Sequence, residues 1–405
     1  MSSLAQVERL PAGLGSVELL REQRVRRGER WVYSAGFNVV DPNRDGGRLK
    51  AELEDLDYLA SGGARVAVLS HWGKFGKAGD HSLRKVAAWL QDRLGRDVGY
   101  FPELASQRAR VRARGLEPGE LVLFGNTRSL PGEEANDPWL ARRFAALGDR
   151  VAIGGFSKAH REHASNAGIL DYLPGYLAQS LVREFELLAP WRQGTAAGLS
   201  VAAIGGVKAE KVAAFERLAG SCDVLVPGGS VLNALLRTRG RRIGASALPE
   251  ADAAVARLAA VLEREGPARI HLPRTVVVAP LDRPAATEAV AVADGVPDGF
   301  AIVDFALEPW LCELLAAMAE GGGRILVAGP PALCGHGYSL AVRPLLRAAS
   351  APAVESLLVG GDTAAELPWS GPASAGGGSA LHYLIHGECP VVEVLAAKTR
   401  TRTGR

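Results

Sequence analysis

The chain has 405 residues, enough for two domains of ordinary size, with 47% hydrophobic and 22% charged residues and a mean hydropathy of +0.05. A formal charge of +3 is too small to draw a nucleic acid or a membrane surface, so neither is expected as a partner. No apolar run approaches the roughly 18 residues a span requires, the opening MSSLAQVERLPAGL has no apolar signal core, and Cys222, Cys312, Cys334 and Cys389 form neither a CxxC pair nor a zinc spacing, so a reduced, cytoplasmic protein is expected.

In chain order, residues 1–30 read as a polar lead-in and Trp31 to Val40 as a first strand. Arg48 opens a helical segment after a Gly-Gly turn, with Leu53, Leu56 and Leu59 at helical spacing. Arg65 to Ser70 is a buried strand ending in His71-Trp72-Gly73-Lys74, and a helix with Leu83, Val86, Leu90 and Leu94 follows. Glu120 to Phe124 is the next strand, ending in Asn126-Thr127-Arg128. Arg150 to Ile153 leads into GGFSKAHREHAS, which carries Lys158, His160, Arg161 and His163. Strands alternating with helical runs predict βαβ units and a parallel sheet.

The placement of charge in this half is informative. His71, Lys74, Arg128, Lys158 and Arg161 all lie just past the C-terminal ends of predicted strands, the edge where open α/β sheets bind ligands. Cations converging from separate strands suit a small, multiply charged anion. His71, His160 and His163 have no carboxylate or cysteine at ligand spacing, so hydrogen bonding to anionic groups or loop packing is expected of them rather than a metal.

Leu173 to Leu188 has a helical apolar pattern without a preceding strand and is read as the helix joining two halves. In the second half, Leu199 to Ile204 is a strand leading to Gly205-Gly206-Val207-Lys208-Ala209-Glu210-Lys211 and a helix with Val212, Phe215 and Leu218 inward. Two glycines and two lysines at such a turn suit a polyphosphate, since backbone N–H groups can wrap it and cations neutralise it; the Walker A spacing is absent. Further strands are Cys222 to Val226, before Pro227-Gly228-Gly229; Thr275 to Ala279; Arg324 to Val327, before Ala328-Gly329-Pro330-Pro331; and Val354 to Val359. The last ends in Gly360-Gly361-Asp362-Thr363, and Gly376-Gly377-Gly378-Ser379 precedes a helix from Ala380 to Ile385. Asp362 at that exit can hold Mg²⁺ beside phosphates. The final KTRTRTGR is basic and turn-like and is expected to be a frayed, solvated tail.

Several of these stretches resemble phosphoglycerate kinases, in one order over nearly the whole chain. SHWGKF, with His71 and Lys74, is similar to that family's basic strand exit, which normally has Arg where Lys74 stands. GNTRS supplies Arg128, and GGFSKAHREHAS resembles DAFGTAHRAHAS, giving His160, Arg161 and His163. SAGFN is similar to RVDFN, keeping Asn38 and placing Gly36 where the family has a substrate-binding Asp. GGVKAEK resembles GGAKVxDK, with Lys208 and Lys211 in the lysine positions; VGGDT matches GGGDT; SAGGGSAL resembles STGGGASL. VAGPP has Ala328 in place of an Asn, and Gly335 stands where a ribose-binding Glu is expected.

The resemblance implies a two-lobed α/β protein with Rossmann-like parallel sheets: residues 1–172 as the acidic-substrate lobe, 173–190 as a hinge helix, 191–385 as the nucleotide lobe, and 386–405 as a tail that returns to the first lobe. It further implies a monomeric enzyme that uses Mg²⁺ and ATP/ADP to move the γ-phosphoryl group reversibly onto a carboxylate, 3-phosphoglycerate or a related compound. Arg48, Lys208 and Lys211 would be catalytic; Asn38, His71, Lys74, Arg128 and Arg161 would bind the substrate. Gly205, Gly206, Gly229, Gly360, Gly361, Thr363, Gly376, Gly377 and Gly378 would bind nucleotide, with Asp362 as the metal ligand. A carboxylate is already ionised at neutral pH, so the absence of an evident acid–base pair fits this chemistry. The acidic residues missing near the substrate and the nucleotide leave two alternatives: a paralogue acting on another phosphate- or phosphonate-bearing carboxylate, and a non-catalytic nucleotide-binding protein.

Overall fold

A computed structural model describes residues 14–39, 41–43, 47–73, 82–193, 198–206, 208–249, 252–263, 266, 268–283 and 285–404. The chain divides into two compact units: one runs to Ala189 and resumes at His386, and the other spans Pro190–Ile385. No helix among the described residues is long and apolar enough to cross a membrane.

In chain order the first unit contains β1 (Arg30–Ser34), α1 (Gly47–Ala51), α2 (Leu53–Ser61), β2 (Arg65–Leu69), α3 (Arg84–Leu94), β3 (Val98–Phe101), α4 (Gln107–Arg114), β4 (Leu121–Phe124), α5 (Pro138–Ala145), β5 (Arg150–Ile153), β6 (Gly175–Leu177) and the start of α6 (Gln179–Gln193). The strands form one parallel sheet in the order β3-β4-β2-β1-β5-β6. Helices cover a parallel sheet on its faces, which is why β2 and β4 read as unbroken apolar runs. Trp31, Tyr33, Phe37, Leu49, Leu56 and Leu59 are fully buried in this unit's core. Helix starts are fixed locally: the Ser106 hydroxyl accepts the Ala109 N–H at 3.0 Å, and Asp137 accepts the Leu140 N–H at 2.7 Å ahead of Pro138.

The second unit contains β7 (Ser200–Ile204), α7 (Ala209–Ala219), β8 (Val224–Pro227), α8 (Gly229–Thr238), α9 (Asp252–Glu263), β9 (Arg269–Ile270), β10 (Thr275–Pro280), β11 (Glu288–Ala291), β12 (Phe300–Phe305), α10 (Pro309–Gly321), β13 (Gly323–Ala328), α11 (Val342–Ala349), β14 (Val354–Val359), α12 (Gly361–Glu366), β15 (Ala373–Ser374) and α13 (Gly377–His386). Its parallel sheet has the order β15-β14-β13-β7-β8-β9, and β11-β10-β12 form a separate antiparallel sheet. The two parallel sheets share a plan. The first strand of each, β1 or β7, has successors on both sides, so each sheet has a point where strand order reverses.

Four expectations are corrected. The first strand ends at Ser34, because the Gly36 N–H is taken by Glu52 and the Phe37 N–H by the Ser70 hydroxyl, which stops the ladder. Residues 173–178 are not helical: Pro174 disfavours the helix before it, Tyr176 and Leu177 pair with β5, and α6 begins only where Asp55 accepts the N–H groups of Gln179 and Ser180 at 3.0 Å each. Thr275 to Ala279 lies in the antiparallel sheet rather than in the parallel one. The basic C-terminus belongs to a regular helix, α14 (Pro390–Thr403). It is held in the first unit by buried Val391 and Leu395, by Lys398 to Asp171 at 2.6 Å, by Arg400 to the Ser16 hydroxyl at 3.3 Å, and by Arg402, which pairs with Glu18 and stacks on Tyr176.

His271 gives the second unit a pH dependence. It is buried against Phe305, its Nε2 accepts the Glu308 N–H at 3.0 Å, and burial pushes its pKa down to about 4. The unfolded chain, with His near 6.5, binds more protons between those values, so the stability His271 contributes is present above pH 6.5 and lost as pH falls toward 4. We expect His271→Gln to be less stable at pH 7 and to flatten the decline between pH 6.5 and 4.5 by roughly 2–3 kcal/mol. Urea melts across that range check this; parallel pH profiles for variant and parent would exclude it.

Candidate active site

In the first unit, the exits of β1, β2, β4 and β5 gather the basic groups. Arg48, half-buried on α1, donates from Nη1 to the Asn38 carbonyl at 2.9 Å, and the Asn38 side-chain oxygen accepts the Gly73 N–H at 3.1 Å. Asn126 joins the next two exits: its Oδ1 accepts the N–H groups of Trp72 and Arg128 at 3.0 Å each, and its Nδ2 donates to the Trp72 carbonyl at 2.9 Å. The Arg128 side chain is buried and paired with Glu134 at 2.6 Å. Arg161 is exposed and donates to His160 Nε2 at 2.9 Å.

Burial and this crowd of cations together set the protonation states. His71 and His163 are both buried; burial and then Lys158 and Arg128 lower His71 well below its ordinary range, and burial followed by Arg128 brings His163 to about 3. Both imidazoles are therefore neutral at pH 7, and His163 Nδ1 is buried without a hydrogen-bond partner among the described residues. Lys158 is 2% exposed, and burial pulls its ammonium below the ordinary lysine value; its Nζ donates to the Ser34 hydroxyl at 2.8 Å.

Sequence reasoning missed Glu52, which lies between α1 and α2 and is 3% exposed. Its carboxylate accepts the Gly36 N–H at 2.9 Å and the Gly155 N–H at 3.0 Å, and burial raises its pKa. The two glycines are in backbone contact: a Cβ at Gly36 would stand 2.7 Å from the Gly155 Cα and 2.9 Å from the Ser157 hydroxyl. A Cβ at Gly154 would meet a Glu52 oxygen at 2.5 Å. The available signal was indirect, Gly36 where the resemblance leads one to expect an Asp and one acid in an apolar helical stripe.

The second unit repeats the close approach at its own reversal point. A Cβ at Gly205, past β7, would fall 1.8 Å from the Pro330 carbonyl oxygen past β13, and Gly329 has φ +90° with Gly205 O 2.3 Å from its missing Cβ. Gly229, at φ +53°, lies against the Gly206 backbone, and Ser230 donates to the Gly206 carbonyl at 2.9 Å. Lys211 Nζ donates to the Ala328 carbonyl at 2.8 Å, while Lys208 is exposed at the N-cap of α7. Gly360 (φ +111°) starts α12 facing Gly377, with Thr363 buried beside it. Gly361 and Asp362 lie in the first turn of α12, Gly376 precedes α13, and Gly378 is in its first turn. The result is a row of glycine positions and helix starts at the strand exits, a chemistry that suits a polyphosphate.

Of the residues expected from sequence, Asn38, Arg48, His71, Arg128 and Arg161 therefore lie at the first unit's strand exits, and the lysines and glycines at the second's. Lys74 lies outside the described residues. A cavity of about 860 Å³ lined by Arg21, Tyr58 and Arg93 draws on α2 and α3 rather than strand exits, and its Arg21 is already paired with Glu54 and stacked on Tyr58.

A family model described as phosphoglycerate kinase matches residues 27–393. The chain belongs to the phosphoglycerate kinase family. A phosphoglycerate kinase of Desulforudis audaxviator is 35% identical over 389 residues, spanning 91% of this chain and 96% of the relative. One from Moorella thermoacetica is 32% identical over 383 residues, spanning 91% and 97%. Among solved structures, phosphoglycerate kinase from Coxiella burnetii aligns with a TM-score of 0.73 at 26% identity, covering 95% of this chain and all of that one. The enzyme from Pyrococcus horikoshii shares the fold with a TM-score of 0.78 at 20% identity and the same coverage. The chain is thus a phosphotransferase of the phosphoglycerate kinase family built on two parallel α/β sheets.

Proposed function

We propose that the protein transfers the γ-phosphoryl group of ATP reversibly to the carboxylate of 3-phosphoglycerate, giving an acyl phosphate. The observation that carries this reading is the pairing of two chemistries on two sheets. The first unit gathers Arg48, His71, Arg128, Lys158 and Arg161 at its strand exits, and the second offers bare glycine backbone with Lys208 and Lys211. Asn38, His71, Arg128 and Arg161, together with Lys74, bind the phosphorylated carboxylate; Gly205, Gly206, Gly229, Gly360, Gly361, Thr363, Gly376, Gly377 and Gly378 receive the nucleotide phosphates. The carboxylate oxygen attacks the γ-phosphorus as the bond to the bridging oxygen breaks, and the charge spreads over the equatorial oxygens. Arg48, Lys208 and Lys211 stabilise that charge, and neutral His71 and His163 hydrogen-bond without adding to a crowded cationic site. The donor set fits Mg²⁺-nucleotide: Gly360 and Gly377 bring two helix starts together without side chains between them, and Asp362 in the first turn of α12 would hold the ion. When bound, Mg²⁺ supplies neutralisation of the phosphate charge.

One observation favours a second reading, in which the acceptor is another phosphate- or phosphonate-bearing carboxylate. Gly36 and Gly155 touch, and no side chain fits at either position without moving backbone, so this floor of the crevice differs from the family's acidic pattern. The test is ATP turnover with Mg²⁺ by the purified protein, with hydroxylamine trapping of acyl phosphate, for 3-phosphoglycerate and a panel of related carboxylates. Trapping with 3-phosphoglycerate, lost by at least about 100-fold in Asp362→Ala at unchanged melting temperature, is expected. Trapping with a different carboxylate alone would replace the substrate assignment.

A further inference from the structure

We propose that Glu52 is a positioning residue for phosphoryl transfer. It is a buried clamp that sets the distance between the β1 and β5 exits and, through its own backbone, the place of Arg48. Three observations meet at this carboxylate. It accepts one N–H from each exit, Gly36 at 2.9 Å and Gly155 at 3.0 Å, and those exits carry Asn38 on one side and Lys158 and Arg161 on the other. The two glycines are packed backbone to backbone, so the exits have no side-chain spacer between them and depend on the shared acceptor for their register. Glu52 also follows Arg48 by four residues; its N–H donates to the Leu49 carbonyl at 3.2 Å and its carbonyl accepts the Leu56 N–H at 3.2 Å, so the Arg48 turn and α2 are fixed through the same residue. A carboxylate with two oxygens satisfies two separate backbone donors; an amide of the same shape would aim its NH₂ at one of them. Glu52 does not touch the reacting atoms in this scheme. It fixes the groups that do, where a displacement near 1 Å costs on the order of 100-fold in rate.

The proposal rests on the reading of this crevice as the carboxylate-side substrate site. Its test compares Glu52→Gln and Glu52→Asp with Asp55→Asn. Asp55 is equally buried on α2 and accepts two N–H groups of α6 and, at 3.4 Å, the Tyr33 hydroxyl of β1, but, among the described residues, no backbone N–H of the exits. With whichever carboxylate the panel identifies, both Glu52 variants are expected to lose about 30-fold in kcat with both KM values within about threefold. Asp55→Asn is expected to lose at least as much thermal stability while keeping kcat within about twofold. Hydrogen exchange of the Gly36 and Gly155 amides gives a reading that needs no turnover: both should be protected in the parent, and the one facing the new NH₂ should exchange at least about tenfold faster in Glu52→Gln. A parent inactive on every carboxylate would sink the substrate reading, and exchange would still decide the clamp. Unchanged kcat in folded Glu52 variants, equal kcat loss in Asp55→Asn, or unprotected glycine amides in the parent would each overturn the role given to Glu52.

Discussion

Gly205→Ala is expected to cost the second unit roughly 3–5 kcal/mol, a drop of about 10 °C in melting temperature, and to abolish nucleotide binding. The added methyl would sit 1.8 Å from the Pro330 oxygen, 2.6 Å from its carbonyl carbon and 3.2 Å from the Gly329 oxygen. All three are backbone atoms. No rotamer change relieves the clash, so two adjacent strand exits, β7 and β13, must part. Gly329 cannot follow easily, because its φ of +90° already requires a glycine. The Ala328 carbonyl, which accepts the Gly205 N–H at 3.3 Å and the Lys211 ammonium at 2.8 Å, is tied to the same exit. Gly321→Ala, at the end of α10 with open space around its Cβ, is the matched control and should be neutral or slightly stabilising. Thermal melts of both variants, followed by nucleotide titration of whatever folds, decide the matter. Equal melting temperatures would show that the exits are softer than their contacts suggest.

Arg48→Ala is expected to lower kcat by about 10³-fold while leaving the melting temperature within a few degrees. Arg48 is half-buried on α1 and donates to the Asn38 carbonyl at 2.9 Å, and truncating a partly exposed side chain is expected to cost the fold little. In the proposed role, a guanidinium at the transferring group would be worth most when charge has spread over the phosphoryl oxygens, so the loss is expected in kcat. Arg48→Lys keeps the charge without the planar fork and should recover part of the rate. Steady-state kinetics separate the possibilities: a loss confined to the carboxylate's KM would assign Arg48 to ground-state binding.

The chemistry of the exits was legible because it is local. A glycine pair after an apolar strand, or a lysine or arginine in the loop that follows one, declares itself within a short window, as Gly205, Gly206, Arg128 and Arg161 do. Glu52 does not, since its partners lie 16 residues before it and 103 residues after it, and a lone acid in AELEDL looks like a solvated helix face. Strand direction was hidden for a similar reason: TVVVAP of β10 carries the apolar run of a parallel strand, and only pairing with β11 and β12 reveals it as antiparallel. The helical periodicity of residues 173–188 was genuine from Gln179 onward, but the three-residue strand before it is too short to show a period of its own. The KTRTRT segment looked frayed because its three basic side chains have no acids nearby in sequence; the partners of Lys398 and Arg402, Asp171 and Glu18, come from far back along the chain.

The place of α14 has a consequence for how the protein is made. Residues 190–385 are one uninterrupted piece of chain, whereas the first unit is finished only by a helix that emerges after all of them. During vectorial synthesis the second unit can bury its core while the first still waits for Val391 and Leu395, so the unit begun first is the one completed last. Until α14 docks, the buried faces of Leu170 and Tyr176 and the acids Asp171 and Glu18 await their partners, and a nascent chain stalled in the 380s would expose that surface to chaperones or proteases.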